Sequence, residues 1–141
     1  MIKKILDDNV ESAICLCFRE LVESTCFEKF KNNYDVALKF YIDMALNYHK
    51  ENNTDYYGYY IGEELVGVIE LNKNYINQLI VKRDYQGNKI GTLLINFVLE
   101  QLDTVEVDAA MTSVSFYKKF GFECIGDIKN KNSIKMLKNK R

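Results

Sequence analysis

The sequence predicts a mixed α/β fold, a single domain over residues 1–141 built on one sheet. Three observations carry that prediction: a length that suits one domain, apolar stripes at three- and four-residue spacing, and β-branched or aromatic runs between them. Their order is strand, two helices, hairpin, then β-α-β-α-β-β, the pattern of a mixed sheet. With 48% apolar and 28% charged residues, and eight Phe and ten Tyr to fill a core, the chain is not disordered. Proline is absent, and no repeat, low-complexity stretch or Gly/Ser linker interrupts the chain, so the elements pack as one unit.

Ile2 to Leu6 reads as a first strand, followed by Asp7 or Asp8 as the N-cap of a helix. That helix carries the stripe Val10, Ala13, Ile14, Cys17, Phe18, Leu21 and Val22. A second stripe, Tyr34, Leu38, Tyr41, Ile42, Ala45 and Tyr48, follows Asp35 near its start. Tyr56 to Ile61 and Leu65 to Leu71 flank Gly62-Glu63-Glu64 as an antiparallel hairpin. Alternating strand faces bury half of the cluster Tyr56, Tyr57, Tyr59 and Tyr60, so these tyrosines read as structural. Ile76 to Lys82 is the next strand. The polar stretch from Arg83 to Lys89 leads into a helix with the stripe Ile90, Leu93, Leu94, Phe97, Val98 and Leu102. Val105, Val107 and Ala109 alternate as a strand. Val114, Tyr117 and Phe120 lie on a short helix stopped by a left-handed Gly121. Phe122 to Ile128 and Ser133 to Leu137 close the chain as edge strands, with the basic tail Lys129 to Arg141 along a solvated edge.

Nineteen basic and twenty acidic side chains leave a net charge of −1, which excludes bulk nucleic acid as the main partner. The balance is uneven along the chain: −6 over residues 1–70 and +5 over residues 71–141, so one half suits a cation and the other an anion. No apolar run approaches the roughly 20 residues of a membrane span, and the N-terminus turns acidic where a signal peptide would begin its apolar core. The expectation is a cytoplasmic protein whose Cys15, Cys17, Cys26 and Cys124 are free buried thiols. The single histidine, His49, is far in sequence from every cysteine, so no metal site is expected and His49 reads as a polar helix-end residue.

Strand, glycine-containing loop and amphipathic helix, in that order, form an anion site, because the leading N–H groups of a helix lack partners and the dipole adds positive charge. Gln86 to Thr92 is that candidate. Its spacing fits neither the P-loop nor the dinucleotide fingerprint, which disfavours nucleoside triphosphates and NAD.

The segment Leu79 to Leu94, with Gln86-Gly87-Asn88-Lys89-Ile90-Gly91, resembles the pyrophosphate-binding segment of GCN5-related N-acetyltransferases (GNAT), whose pattern is Gln/Arg-x-x-Gly-x-Gly/Ala. About 25 residues on, Val107 to Phe122 with Phe116-Tyr117-Lys118-Lys119-Phe120-Gly121-Phe122 is similar to the family's later strand and helix. Lys89 stands where the family has its first glycine; Arg83 and Ser115 stand where prolines are common. A lysine at that point can add a point charge to the pyrophosphate, so Lys89→Ala is expected to weaken coenzyme binding.

The resemblance implies a mostly antiparallel sheet of six or seven strands flanked by about four helices, with strands four and five splayed. It implies acetyl-CoA as co-substrate, its pantetheine arm pairing with the backbone of Leu79, Ile80 and Val81 and its phosphates held by Gln86, Gly87, Asn88, Lys89, Ile90, Gly91 and Thr92. A primary amine of a small molecule or protein then attacks directly through a tetrahedral intermediate held by a backbone N–H. Tyr117 matches the family's tyrosine that protonates the leaving thiolate and touches the coenzyme. No motif names the base: Glu70, Glu106 and Asp108 are the carboxylates nearest the implied site, Asn77 and Gln78 cannot serve, and a water chain is the remaining route. The acidic half points to a cationic acceptor. The fold accommodates monomers and homodimers alike. A non-catalytic acyl-CoA-binding or regulatory module is the alternative function on the same fold.

Overall fold

The structure is a computed structural model and describes residues 1–22, 33–129 and 132–139. Cys26, Lys131, Lys140 and Arg141 lie outside the described residues. Eleven elements follow in chain order: β1 (Ile2–Ile5), α1 (Val10–Leu21), α2 (Tyr34–Asn52), β2 (Asp55–Ile61), β3 (Glu64–Asn72), β4 (Tyr75–Val81), α3 (Ile90–Gln101), β5 (Thr104–Ala110), α4 (Val114–Lys118), β6 (Glu123–Lys129) and β7 (Ser133–Asn139). The strands form one seven-stranded sheet in the order β1-β2-β3-β4-β5-β7-β6. Every neighbouring pair is antiparallel except β4 and β5. No helix among the described residues is long and apolar enough to cross a membrane.

Two apolar clusters sandwich the sheet. Ile5, Val10, Ile14, Cys17, Tyr56 and Val68 join α1 to one side, with Tyr41, Ile42 and Ala45 of α2 packed against them. Val66, Ile69, Leu94, Ile95, Val98, Val105 and Met136 join α3 to the other. Such double coverage explains why β3 is buried from Val66 to Leu71, with Glu70 the one charged side chain in that stretch. Gly67 lets α3 come close: a Cβ there would stand 2.9 Å from Ile90 Cγ2, inside contact distance.

Several sequence expectations are corrected. The last two strands are not both edges, because β7 inserts between β5 and β6 and pairs with each; the edges are β1 and β6. Met136, fully buried, anchors β7 in that inner place, while β6 carries the exposed Cys124 and Ile125 and a register break between Cys124 and Ile128. Cys124 is therefore not a buried thiol. Neither Asp7 nor Asp8 caps α1: both lie in a 3₁₀ turn, Asp7–Asn9, and Asn9 occupies the cap without a side-chain bond. The Asp7 carboxylate accepts instead from His49. In α3, Leu93 is exposed and Ile95 is fully buried, since a helix this apolar has more candidate positions than one packed face can use. Gly121 adopts φ 91°, the left-handed conformation expected after α4.

Candidate active site

The parallel pairing of β4 with β5 ends almost as it begins. Tyr75 faces Glu106 and Ile76 faces Val107, and no further pair forms. On the other side of β4 the register slips: Glu70 faces Gln78 and Leu71 faces Ile76, which leaves Asn77 as an extra residue. A bulge of this kind bends its strand, and from Asn77 to Val81 the backbone edge toward β5 is free of ladder partners. Two cavities flank this splayed segment.

The first, about 480 Å³, lies at the start of α3 and is lined by Leu79, Val81, Gln86, Gly87, Lys89, Ile90, Gly91 and Thr92, with Tyr85, Ser113 and Phe116 closing it. Lys89 is the helix N-cap, held at φ 64° and ψ 20° with no side-chain cap bond. A side chain in that left-handed conformation costs roughly 1–2 kcal/mol, which glycine avoids. The N–H groups of the first helical turn have no preceding turn to bond and belong to cavity-lining residues. Gly87, at φ 89°, has nothing within 4 Å of where a Cβ would stand, so the loop is open at that point. Gln86 and Asn88 fold the loop on itself: Gln86 Nε2 donates to Val81 O at 3.0 Å and Asn88 Nδ2 donates to Tyr85 O at 3.3 Å. Lys82 and Tyr85 both bond Glu64, at 3.1 and 3.0 Å, and hold its carboxyl below the usual range. Among the described residues a free strand edge, leading helical N–H groups and one lysine, with no acidic wall residue, fit a pantetheine arm and its phosphates.

The second cavity, about 460 Å³, lies between the bulge and helices α1 and α2. Tyr41, Tyr48, Tyr56 and Tyr75 contribute to its wall, with Gln78, Asn77, Cys17 and two carboxylates, Glu70 and Asp108; among the described residues no Lys or Arg does. Glu70 is 4% exposed. Burial pushes its carboxyl above the ordinary range, while hydrogen bonds from Thr54, Tyr56 and Asn77 and the nearby His49 pull the other way. Thr54 Oγ1 donates to Glu70 Oε2 at 2.8 Å. Tyr75 donates its phenol hydrogen to Asp108. Burial foremost, then the carboxylates, drives the Tyr75 hydroxyl up.

Sequence reasoning and geometry meet unevenly. Glu106 lies outside this cavity: Lys135 Nζ stands 2.9 Å from its carboxylate and holds it below the usual range. Ile80 packs its side chain toward the α1 cluster and Asn88 does not line the coenzyme-side cavity. Tyr117 is 6% exposed, edge-on to Phe116 and Phe122, and burial pushes its phenol up to about 12; Phe116, not Tyr117, is the cavity wall. Tyr56, read as structural, is both buried and a cavity wall. His49 ends α2 as expected, yet it is buried and bonded on both ring nitrogens. No sequence signal tied His49 or Thr54 to Glu70, because residues 16 and 21 positions apart meet only in the fold.

A family model for the acetyltransferase (GNAT) domain matches residues 19–140. No curated protein sequence matches the chain. Among solved structures, the PaiA N-acetyltransferase of Thermoplasma acidophilum in complex with coenzyme A is similar at TM-score 0.70 and 20% identity, over 99% of this chain and 98% of that one. A GCN5-related N-acetyltransferase from Rhodopseudomonas palustris is similar at TM-score 0.71 and 18% identity, over 99% and 94%. An aminoglycoside 6'-N-acetyltransferase complexed with coenzyme A is similar at 0.71 and 16%, over 100% and 97%. At these identities the likeness establishes the fold. With the domain match spanning most of the sequence and the splayed β4–β5 pair opening beside the α3 N-terminus, the chain belongs to the GNAT acetyltransferase family, whose chemistry is acetyl-CoA-dependent acetyl transfer.

Proposed function

We propose that this chain is a cytoplasmic, single-domain N-acetyltransferase that moves the acetyl group of acetyl-CoA to a primary amine arriving as a cation, with Glu70 as general base and Tyr117 as general acid. The observation that carries this reading is the second cavity: two carboxylates and four tyrosines beside the β4 bulge, with no basic wall residue among the described residues. Carboxylates and aromatic faces attract an ammonium ion. An ammonium cannot attack, so a proton acceptor is needed at the same place. Glu70 supplies it, since burial raises its carboxyl and a carboxylate with a raised pKa is a stronger base than an exposed one.

Acetyl-CoA as substrate supplies the activated thioester. Asp108 and the tyrosine rings hold the amine, Glu70 takes its proton, and the Asn77 bulge turns β4 backbone toward the reaction centre. Tyr117, whose phenol stays protonated well above neutral pH, is suited to return a proton to the departing sulfur. Cys17 lines the cavity too, but burial pushes its thiol up to about 12, so it remains a neutral S–H and a poor nucleophile. That favours direct attack by the amine over an acyl-cysteine route. On the coenzyme side, Lys89 and the α3 N–H groups face the phosphates and the free β4 edge pairs with the arm.

The test is release of CoA thiol with Glu70→Gln beside the parent protein. The variant is expected to lose about 10²–10⁴-fold in turnover while acetyl-CoA still raises its Tm. If acetyl-CoA raises the Tm of the parent but no primary amine releases thiol, the non-catalytic acyl-CoA-binding module replaces the enzyme reading.

A further inference from the structure

Behind Glu70 the structure holds a chain of polar side chains that the acetyl-transfer reading leaves unused. Thr54 Oγ1 donates to Glu70 Oε2 at 2.8 Å, His49 Nδ1 stands 2.9 Å from Thr54 Oγ1, and His49 Nε2 stands 3.0 Å from Asp7 Oδ1. Thr54 is 3% and His49 8% exposed, whereas the Asp7 side chain is 91% exposed. The chain therefore runs from the base at the acceptor cavity to the surface. It emerges in a separate cavity of about 430 Å³ that, among the described residues, shares no wall residue with the cavity beside the bulge.

The hydrogen inventory fixes the polarity. A carboxylate only accepts, and Thr54 has a single hydroxyl hydrogen, which goes to Glu70. Its oxygen then faces His49 Nδ1, and the exposed Asp7 carboxylate faces Nε2. The imidazole thus sits one hydroxyl away from a buried carboxylate. The other groups around the ring are the edge of Tyr56, at 5.5 Å between centroids, and, in the outer cavity, Lys4, Asp8 and Asp55; Lys4 is occupied by Asp55 at 3.2 Å. None competes for either ring nitrogen among the described bonds.

We infer that His49, acting through the Thr54 hydroxyl and anchored by Asp7, orients the Glu70 carboxylate and keeps it in its proton-accepting form. His49 and Thr54 are then positioning residues for the base, and the inference rests on Glu70 serving as that base. Thr54 presents its one hydrogen to Oε2, and Tyr56 and Asn77 also bond the carboxylate, which together fix its orientation beside the cavity. Burial alone would drive Glu70 toward its neutral acid, and the Thr54 hydrogen bond and the nearby His49 oppose that drive.

The experiment is the pH dependence of kcat/KM for an amine acceptor at saturating acetyl-CoA, in Thr54→Val, Thr54→Ser, His49→Gln, Asp7→Asn and Glu70→Gln. Thr54→Val and His49→Gln are expected to move the acid limb to higher pH by about one unit, a tenfold loss of ionised base at fixed pH on that limb. The KM for acetyl-CoA stays unchanged. Thr54→Ser restores the parent profile, and Asp7→Asn shifts the limb the same way by less. Should His49→Gln fail to fold by its Tm, the near-isosteric Thr54→Val and the exposed Asp7→Asn decide. Limbs that stay at the parent position in Thr54→Val and His49→Gln, with Glu70→Gln inactive, overturn the role of His49 alone. A Glu70→Gln variant with parent turnover and an intact limb overturns the base assignment and this inference together.

Discussion

At Glu70 burial and charge conflict, and the conflict has a measurable sign. The folded protein raises this carboxyl's pKa, so between the ordinary value and the raised one the folded state binds more protons than the unfolded. Stability contributed by the group therefore falls as pH rises through that window. Glu70→Gln is expected to leave Tm at pH 7 equal or higher while abolishing turnover, a trade of stability for activity that thermal melts and thiol assays read together. Lys89 poses the second residue-scale conflict, a lysine in glycine's conformation. Lys89→Gly relieves about 1 kcal/mol of strain and is expected to raise Tm by a few degrees. If the lysine charge meets the phosphates, the same variant and Lys89→Ala both weaken acetyl-CoA severalfold, more at low salt than at high. Unchanged affinity in both makes Lys89 a bystander. Tyr117→Phe should lower turnover with little change in coenzyme affinity; equal activity would remove its role as acid.

The elements differ in how far they could be read from the chain. The strand, loop and helix start around the α3 entry were legible because all three are set by local pattern within Leu79 to Thr92, and the structure places them around one cavity. Helix and strand stretches were legible from their periods, since each buries one face. The place of β7 was not, because its pairing with β5 joins segments some 28 residues apart and no local signal sets which strand of a hairpin docks. Glu70 could be named as a carboxylate near the gap, but Thr54 and His49 reach it from two other elements and carry no motif. Gly67 shows the same limit: only the packed structure reveals that Ile90 presses on it. Because Ile90 opens α3, Gly67→Ala should push the helix start outward. Expected are a loss of roughly 1–3 kcal/mol, seen as a lower Tm, and weaker acetyl-CoA binding; a fully parental Tm would mean that α3 is not tightly seated.

Across the whole molecule the net charge is near zero, yet two cavities differ in charge. The difference does not follow the halves of the chain: the cavity beside the bulge draws Glu70 from the acidic half and Asp108 from the basic half, while the cavity at the α3 start has Lys89 and, among the described residues, no carboxylate. In the proposed function, charges placed this way gather an anionic coenzyme on one side and a cationic amine on the other, and each attraction weakens with ionic strength. The KM of a cationic acceptor is accordingly expected to rise with added salt, and that of an uncharged amine to stay level. The most direct measurement is CoA thiol release from acetyl-CoA across a panel of cationic, neutral and acidic primary amines. The account predicts turnover that favours the cationic members and collapses in Glu70→Gln. Thiol release from none of them, or a clear preference for neutral or acidic amines, would contradict it.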